Sequence, residues 1–178
     1  MIQFEKAYRE AGPKIVGWLV ATGTDEATAR DILHDAVARV EAAAARGDAG
    51  AADCAGLSAI LFTAARNLRA NHVRDSRRMV PSGRAGDVAG GVSAPPAGFA
   101  ADAAYLRGRM AAALAELPPA LRETYALYQI GGRSVRETAA LTGAAENLVK
   151  VRLHRAKARL RVALADLAGA FAPGRTSE

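Results

Sequence analysis

The sequence is poor in aromatic residues, which make up 5% of it, and it has one cysteine, Cys54, and three histidines. A single cysteine excludes an internal disulfide, and the scattered histidines do not have the spacing of a zinc site. We therefore expect a protein of the reducing cytoplasm with no metal and no other cofactor. The sequence also lacks a run of about 18 apolar residues, so neither export nor a membrane span is expected.

The residues that are abundant favour helices and a polyanionic partner. Lysine and arginine number 24 against 18 acidic residues, which gives a formal net charge of +6. A basic balance of this kind indicates nucleic acid or an anionic membrane surface as the partner. Much of the 51% hydrophobic fraction is alanine, and alternating apolar residues of a strand are absent. The sequence therefore predicts an all-α fold.

Residues 79–104 divide the chain. Glycine, proline, serine and alanine dominate this segment, and it has no apolar periodicity. We interpret it as a flexible linker between two small helical domains, residues 1–78 and residues 105–170, with residues 171–178 as a tail.

The N-terminal domain is predicted as a bundle of three or four helices. The expected helices span roughly 2–20, 25–45 and 57–78, with a glycine-bearing loop at 46–56 that includes a possible short turn near residue 50. Thr24 is the expected N-cap of the second helix, because acidic residues follow it in the first turn.

The C-terminal domain contains the spacing of a helix-turn-helix. Pro119 suits the first turn of a helix that runs to Gly131-Gly132, and Ser134 with Glu137 forms a capping box for the next helix. Ala139, Gly143 and Val149 then supply a small residue at the helix contact, a tight turn and an apolar anchor. A last long helix is expected from about 145 to 169.

This last helix carries one-sided positive charge. Residues 150–161 read KVRLHRAKARLR and contain six basic residues and no acid. Apolar residues at helical spacing, from Val149 through Leu153 and Ala156 to Leu160 and Leu164, form the stripe expected to be buried. A basic run alone is more often a solvated surface, but behind a helix-turn-helix it indicates a helix that enters the major groove of DNA.

With these residues in view, the sequence resembles the extracytoplasmic-function sigma factors of bacterial RNA polymerase. Residues 114–164 resemble their region 4, through Leu117-Pro118 with Arg122, the G-x-S-x-x-E-x-A run from Gly132 to Ala139, and the residues from Val149 to Ala156. The N-terminal half resembles region 2, through the segments Ala65–Asn67, His72–Arg74 and Arg77-Arg78, and more weakly through Asp31–Asp35.

Five positions differ from the usual residues of the family. Leu148 and Val151 replace a threonine and a serine, and His34 replaces a glutamine. Glu41 and Ile60 stand where tryptophan is usual.

The resemblance implies a non-enzymatic transcription initiation factor that binds core RNA polymerase, promoter DNA and an anti-sigma factor, with no membrane or small-molecule substrate. Core polymerase would contact Asp31, His34, Asp35 and Arg39. The promoter −10 element would contact Arg66, Asn67, Arg69, Asn71, Arg74, Arg77 and Arg78, with the 46–56 loop taking an unstacked base. Bases of the −35 element would contact Lys150, Val151, His154 and Arg155, and its backbone would contact Arg136, Arg152 and Arg159.

Other interpretations of the same residues stay open. Asp31 and Asp35 are four residues apart and could form a paired-carboxylate site, although a partner-binding or solvated face is favoured because no base or metal ligand set accompanies them. Cys54 is better explained as a small loop or core residue than as a nucleophile. For the chain as a whole, the alternatives are a stand-alone dimeric helix-turn-helix regulator and a sigma-like decoy that binds a protein partner.

Overall fold

The structure is a computed structural model that describes residues 2–46, 54–79 and 100–170. Within these ranges every regular element is helical, which confirms the all-α prediction. The helices are α1 (Ile2–Ala21), α2 (Glu26–Ala45), α3 (Cys54–Met79), α4 (Ala100–Ala115), α5 (Pro119–Tyr125), α6 (Val135–Thr142), α7 (Glu146–Ala163) and α8 (Ala165–Ala170), and a π-helical segment, Ala126–Ile130, continues α5. None of the described helices has the length and apolarity needed to cross a bilayer.

Helices α1, α2 and α3 form an N-terminal bundle. The apolar stripe predicted on α2 is buried at Ala29, Ile32, Leu33, Ala36 and Val40. Trp18 of α1 and Phe62 of α3 lie at the centre, with ring centroids 6.2 Å apart. These two rings are the largest fully buried side chains, in a core otherwise made of alanine and aliphatic side chains.

Two predicted boundaries of the bundle are wrong. The N-cap of α2 is Asp25 and not Thr24, since the Asp25 carboxylate accepts a hydrogen bond from Thr28 N at 2.9 Å, while Thr24 is buried. Helix α3 begins at Cys54, three residues before the predicted start. Alanine and cysteine there permit helix, so Gly56 lies in the first turn and not in a loop. The rest of the predicted 46–56 loop, residues 47–53, lies outside the described residues.

Most helix boundaries of the C-terminal half lie where its proline, serine and glycine residues predicted them. Pro119 occupies the first turn of α5, after an extended Pro118. The predicted helix up to Gly131 is present, but its last five residues have π geometry, and Gly131 N donates to Ala126 O at 2.8 Å. The predicted helix of residues 145–169 is interrupted at Leu164, where α7 ends and α8 follows.

The two halves of the chain share one hydrophobic core. Ala126 and Leu127, on the π-helical segment, are fully buried in the same cluster as Trp18 and Phe62. At Gly131 a Cβ atom would lie 2.7 Å from Leu127 O and 3.2 Å from Phe62 Cε1, so only glycine fits this close approach. Residues 80–99 of the predicted linker lie outside the described residues. The linker prediction is wrong at its ends, because Met79 belongs to α3 and residues 100–104 belong to α4. The division into domains stays a prediction.

Candidate nucleic-acid interface

Helices α6 and α7 form a helix-turn-helix. Gly143 between them has φ +67°, a left-handed conformation that glycine adopts without steric cost. Ala139, Val149 and Leu153 are buried together where the two helices meet. Ala139 is therefore the small residue at the helix contact, Gly143 forms the turn and Val149 is the apolar anchor, as their spacing predicted.

The entry to α6 is fixed by the predicted capping box. Ser134 Oγ accepts from Glu137 N at 3.2 Å, and the Glu137 carboxylate accepts from Ser134 N at 2.8 Å. Arg133 adds an ion pair to Glu137 at 3.0 Å. Partial burial raises the pKa of Glu137, but the hydrogen bonds from Ser134 and the charge of Arg133 outweigh it, so the pKa lies below its ordinary value.

Helix α7 presents the predicted basic face to solvent. Its inner face is buried at Val149, Leu153, Ala156 and Leu160. Four of the predicted −35 contacts on α7 are exposed basic residues, and within the described residues they form no ion pair: Lys150, His154, Arg155 and Arg159. Val151 is also exposed, Arg152 is half-buried, and Arg136 is exposed on α6. The structure thus gathers all seven predicted −35 residues on the helix-turn-helix.

The predicted −10 residues lie on α3 but do not share one environment. Asn67 and Arg74 are exposed, Asn71 is half-buried, and Arg74 donates a hydrogen bond to Asn71 Oδ1. Helical spacing places these three on one face, opposite the core. The side chains of Arg77 and Arg78 lie outside what the structure describes.

Arg69 points into the bundle and not to solvent. Its Nη2 donates to Thr22 O at 2.8 Å, and its guanidinium lies 5.8 Å from the Trp18 ring centroid. Burial lowers its pKa. These contacts tie α3 to the end of α1, and they engage the group that was predicted to hold a phosphate.

Arg66, the remaining −10 candidate, faces the C-terminal half. Its Nε lies 4.0 Å from Glu123 Oε1, on α5. Nearby, the Arg133 guanidinium lies 4.5 Å from the Phe62 ring centroid. Sequence reasoning missed Glu123, Phe62 and Arg133 as contacts between the halves, because nothing local in the sequence indicates which distant residues will meet.

A separate surface on α2 carries the residues predicted to contact polymerase. Asp31, His34, Asp35 and Arg39 are all exposed. Their spacing of three, four and eight residues from Asp31 places them on one helix face. No group of three acidic, histidine or cysteine side chains within the described residues could hold a metal ion.

These features define a class of protein. A helix-turn-helix whose second helix buries one apolar stripe and exposes a basic face is a DNA-binding unit of the major-groove type. Residues 107–160, which contain this unit, match the family model described as Sigma-70, region 4.

The described part of the chain shares its fold with a sigma factor of known structure. It matches the sigma factor RpoE from Bartonella quintana, solved as a co-crystal with the anti-sigma factor NepR, with a TM-score of 0.66 and 23% sequence identity. The match covers 93% of this chain and 98% of that chain. No curated protein matches the sequence. The match of residues 107–160 to region 4, and the fold shared with a sigma factor, agree with the resemblance found in the sequence.

Proposed function

We propose that this protein directs core RNA polymerase to promoters by reading a −35 element with α7 and a −10 element with α3. The observation that carries the proposal is the exposed basic face of α7, set on a helix-turn-helix that matches sigma-70 region 4. Its unpaired charges suit the phosphates on both sides of a major groove, while the acidic face of α2 would repel DNA and suits a basic protein partner.

Within the −35 element, Lys150, Val151, His154 and Arg155 face the bases. Arginine or lysine to guanine is the commonest specific contact in the major groove. Arg136, Arg152 and Arg159 contact the backbone and set the register of the helix.

Within the −10 element, Asn67 and Asn71 contact bases, because an amide side chain offers both a donor and an acceptor. Arg74, Arg77 and Arg78 hold phosphates. Arg66 joins them once its contact with Glu123 is released. Arg69 serves the bundle through Thr22 and Trp18, so its part in DNA binding is to position α3.

Polymerase docks on the α2 face that carries Asp31, His34, Asp35 and Arg39, and the protein therefore acts in the cytoplasm. Docking would release the contacts between the halves, such as that of Arg66 with Glu123, and fix the distance between the two DNA-reading surfaces. A fixed distance raises the effective concentration of the second DNA contact once the first is made. Specific promoter binding should thus depend on polymerase.

The test is transcription in vitro with core polymerase on the protein's own upstream region. Asp35→Lys should abolish transcription and weaken binding to core polymerase, most clearly at low salt. Glu116→Lys makes the same charge change at an exposed position in the other half and should be without effect. Normal competition of Asp35→Lys for core polymerase would refute the assignment of the α2 face.

A different outcome would favour the stand-alone regulator. Tight binding of the free protein to a palindrome, as a dimer of twice the monomer mass, would show that the protein needs no polymerase to read DNA. A protein that binds a protein partner but neither core polymerase nor promoter DNA would instead be a decoy.

An anti-sigma factor is the partner that we propose for the cleft between the halves. The cleft has a volume of about 730 Å³ and is lined by apolar residues from both, including Val16, Val20 and Leu33 on one side and Met110 and Leu114 on the other. A partner seated there would hold the halves together, and the matched RpoE structure contains an anti-sigma factor.

Substitution at the rim of this cleft tests the regulatory role. Met110 is partly exposed at the rim, so Met110→Asp should not disturb folding. We expect this variant to activate a reporter promoter without the inducing signal, while its transcription in vitro with core polymerase is unchanged. Continued silence of the reporter would contradict the assignment.

A further inference from the structure

The outer face of α7 is not uniformly basic, because an apolar ridge of Val151, Ala158 and Val162 runs along its middle, and Leu148 lies to one side of it, next to Arg155. Leu148 and Val151 are 43% and 44% exposed, and Val162 is 79% exposed. Ala158, between them along the helix, is exposed as well. At 100° per residue, Val151 and Ala158 lie opposite the buried side chains of Val149 and Leu153.

Basic side chains flank this ridge on both sides. Lys150, His154, Lys157 and Arg161 lie along one side, and Arg155 and Arg159 lie along the other. Neither Leu148 nor Val151 belongs to the apolar cluster that holds α7 against α6. Their exposure is therefore not required by the packing of the helix-turn-helix, and both side chains are accessible to a ligand at this face.

The arrangement matches the cross-section of a major groove. A helix lying in the groove directs its central line to the base edges, and the long side chains beside that line reach either base edges or the phosphates of the two strands. The flanking charges on α7 thus select a polyanion over a protein partner, and they place Val151 over the bases. Leu148 lies beside Arg155 near the N-terminal end of α7, the end at which recognition helices contact base edges. Neither side chain can donate or accept a hydrogen bond, so covering a base donor or acceptor with it would cost free energy.

The major groove offers one apolar group to such side chains, the C5-methyl of thymine. We propose that Val151 and Leu148 recognise thymine methyl groups in the −35 element, and that they thereby determine base preference at positions that Lys150 and Arg155 do not read. This inference rests on the proposed function. It adds a specific chemical requirement, because uracil pairs like thymine but lacks this methyl group.

The test uses the full chain assembled with core polymerase. A selection from a library randomised over the −35 element first defines the preferred sequence of the wild-type holoenzyme. Each selected thymine is then replaced singly by deoxyuridine, and promoter affinity is measured. Burial of one methyl group corresponds to about a fourfold change in affinity. We expect a loss of about this size at one or two positions.

Variants assign each methyl group to its side chain. Val151→Ala should reduce the thymine-to-uracil affinity ratio to near one at one position, and Leu148→Ala should do so at a neighbouring one. Val162→Ala is the matched control: it removes the same atoms from the same helix about 16 Å further along, at 1.5 Å per residue, and should leave every ratio unchanged.

The possible failures are distinguishable. A −35 element that is selected without thymine, or that binds equally with uracil at every position, would overturn the methyl contact and leave the sigma function intact. If Val151→Ala and Leu148→Ala weaken binding to core polymerase while the ratios persist, the ridge contacts protein and the inference is wrong. If the wild-type holoenzyme selects no −35 sequence, the proposed function itself fails.

Discussion

Truncation of Leu127 to alanine should destabilise the N-terminal half, although Leu127 belongs to the C-terminal half. Its side chain is fully buried in the cluster that contains Trp18 and Phe62. Leucine-to-alanine changes at such sites cost about 2–5 kcal/mol. With a urea slope of about 2 kcal/mol per M, a cost of about 3 kcal/mol lowers the unfolding midpoint by about 1.5 M.

Trp18 is the single tryptophan of the chain, so its fluorescence reports unfolding of the core cluster in which it lies. We expect the fluorescence midpoint in urea to fall by the full amount in Leu127→Ala. Leu153→Ala is the matched control, because Leu153 is buried in a cluster made only of C-terminal residues. A Trp18 midpoint that stays unchanged in Leu127→Ala, while far-ultraviolet circular dichroism shows earlier loss of helix, would refute the shared core.

Three further outcomes are expected. Ser134→Ala should cost about 1 kcal/mol in thermal unfolding. Because the capping box lowers the pKa of Glu137, its stabilisation is complete above the usual glutamate pKa of about 4.3, and the difference between variant and wild type should shrink as the pH falls below that value. Arg155→Ala should cost about 1–3 kcal/mol of promoter affinity and relax the preference at one base position. Arg159→Ala should weaken binding to all sequences alike and lower the slope of log affinity against log salt concentration by about one unit in filter-binding titrations. Equal, sequence-independent losses in both variants would contradict these roles. Gly108→Ala should stabilise the protein by about 0.5–1 kcal/mol in urea titrations, because Gly108 is within a helix and an added Cβ meets no atom within 4 Å; a loss of stability would show a contact at this face.

Local features of the sequence predicted most of the helices, and they predicted which side of α7 is buried and which side is exposed and basic. Helical periodicity fixes which residues share a face once the helix is known, so the buried stripe from Val149 to Leu160 and the exposed basic residues could both be read directly. The capping box and Gly143 were predictable for the same reason, since each depends on residues within one turn of a helix. The N-cap of α2 was misplaced by one residue, because Thr24 and Asp25 both have suitable side chains.

Contacts between distant segments could not be predicted in this way. Arg69 resembles its basic neighbours in sequence, and only the packing of α1 against α3 brings it to Thr22, 47 residues away. Likewise, Leu127 has the spacing of an ordinary buried residue of its own helix. Its burial against Trp18 depends on how the two halves meet, and no residue near Leu127 encodes that arrangement.

The shared core limits how far this protein can be treated as interchangeable modules. The two predicted domains could be exchanged between proteins only if each half folded by itself, but Ala126 and Leu127 complete the core of the opposite half. A chimera that joins residues 1–78 to a foreign C-terminal half would lose this packing unless the donor supplied equivalents of Ala126 and Leu127, and any residue larger than glycine at the position of Gly131 would clash with Phe62. Such hybrids should fold when the residues of α5 and the π-helical segment that contact the N-terminal bundle are kept from this chain. Compatibility at that contact, and not promoter preference, would then decide which hybrids fold.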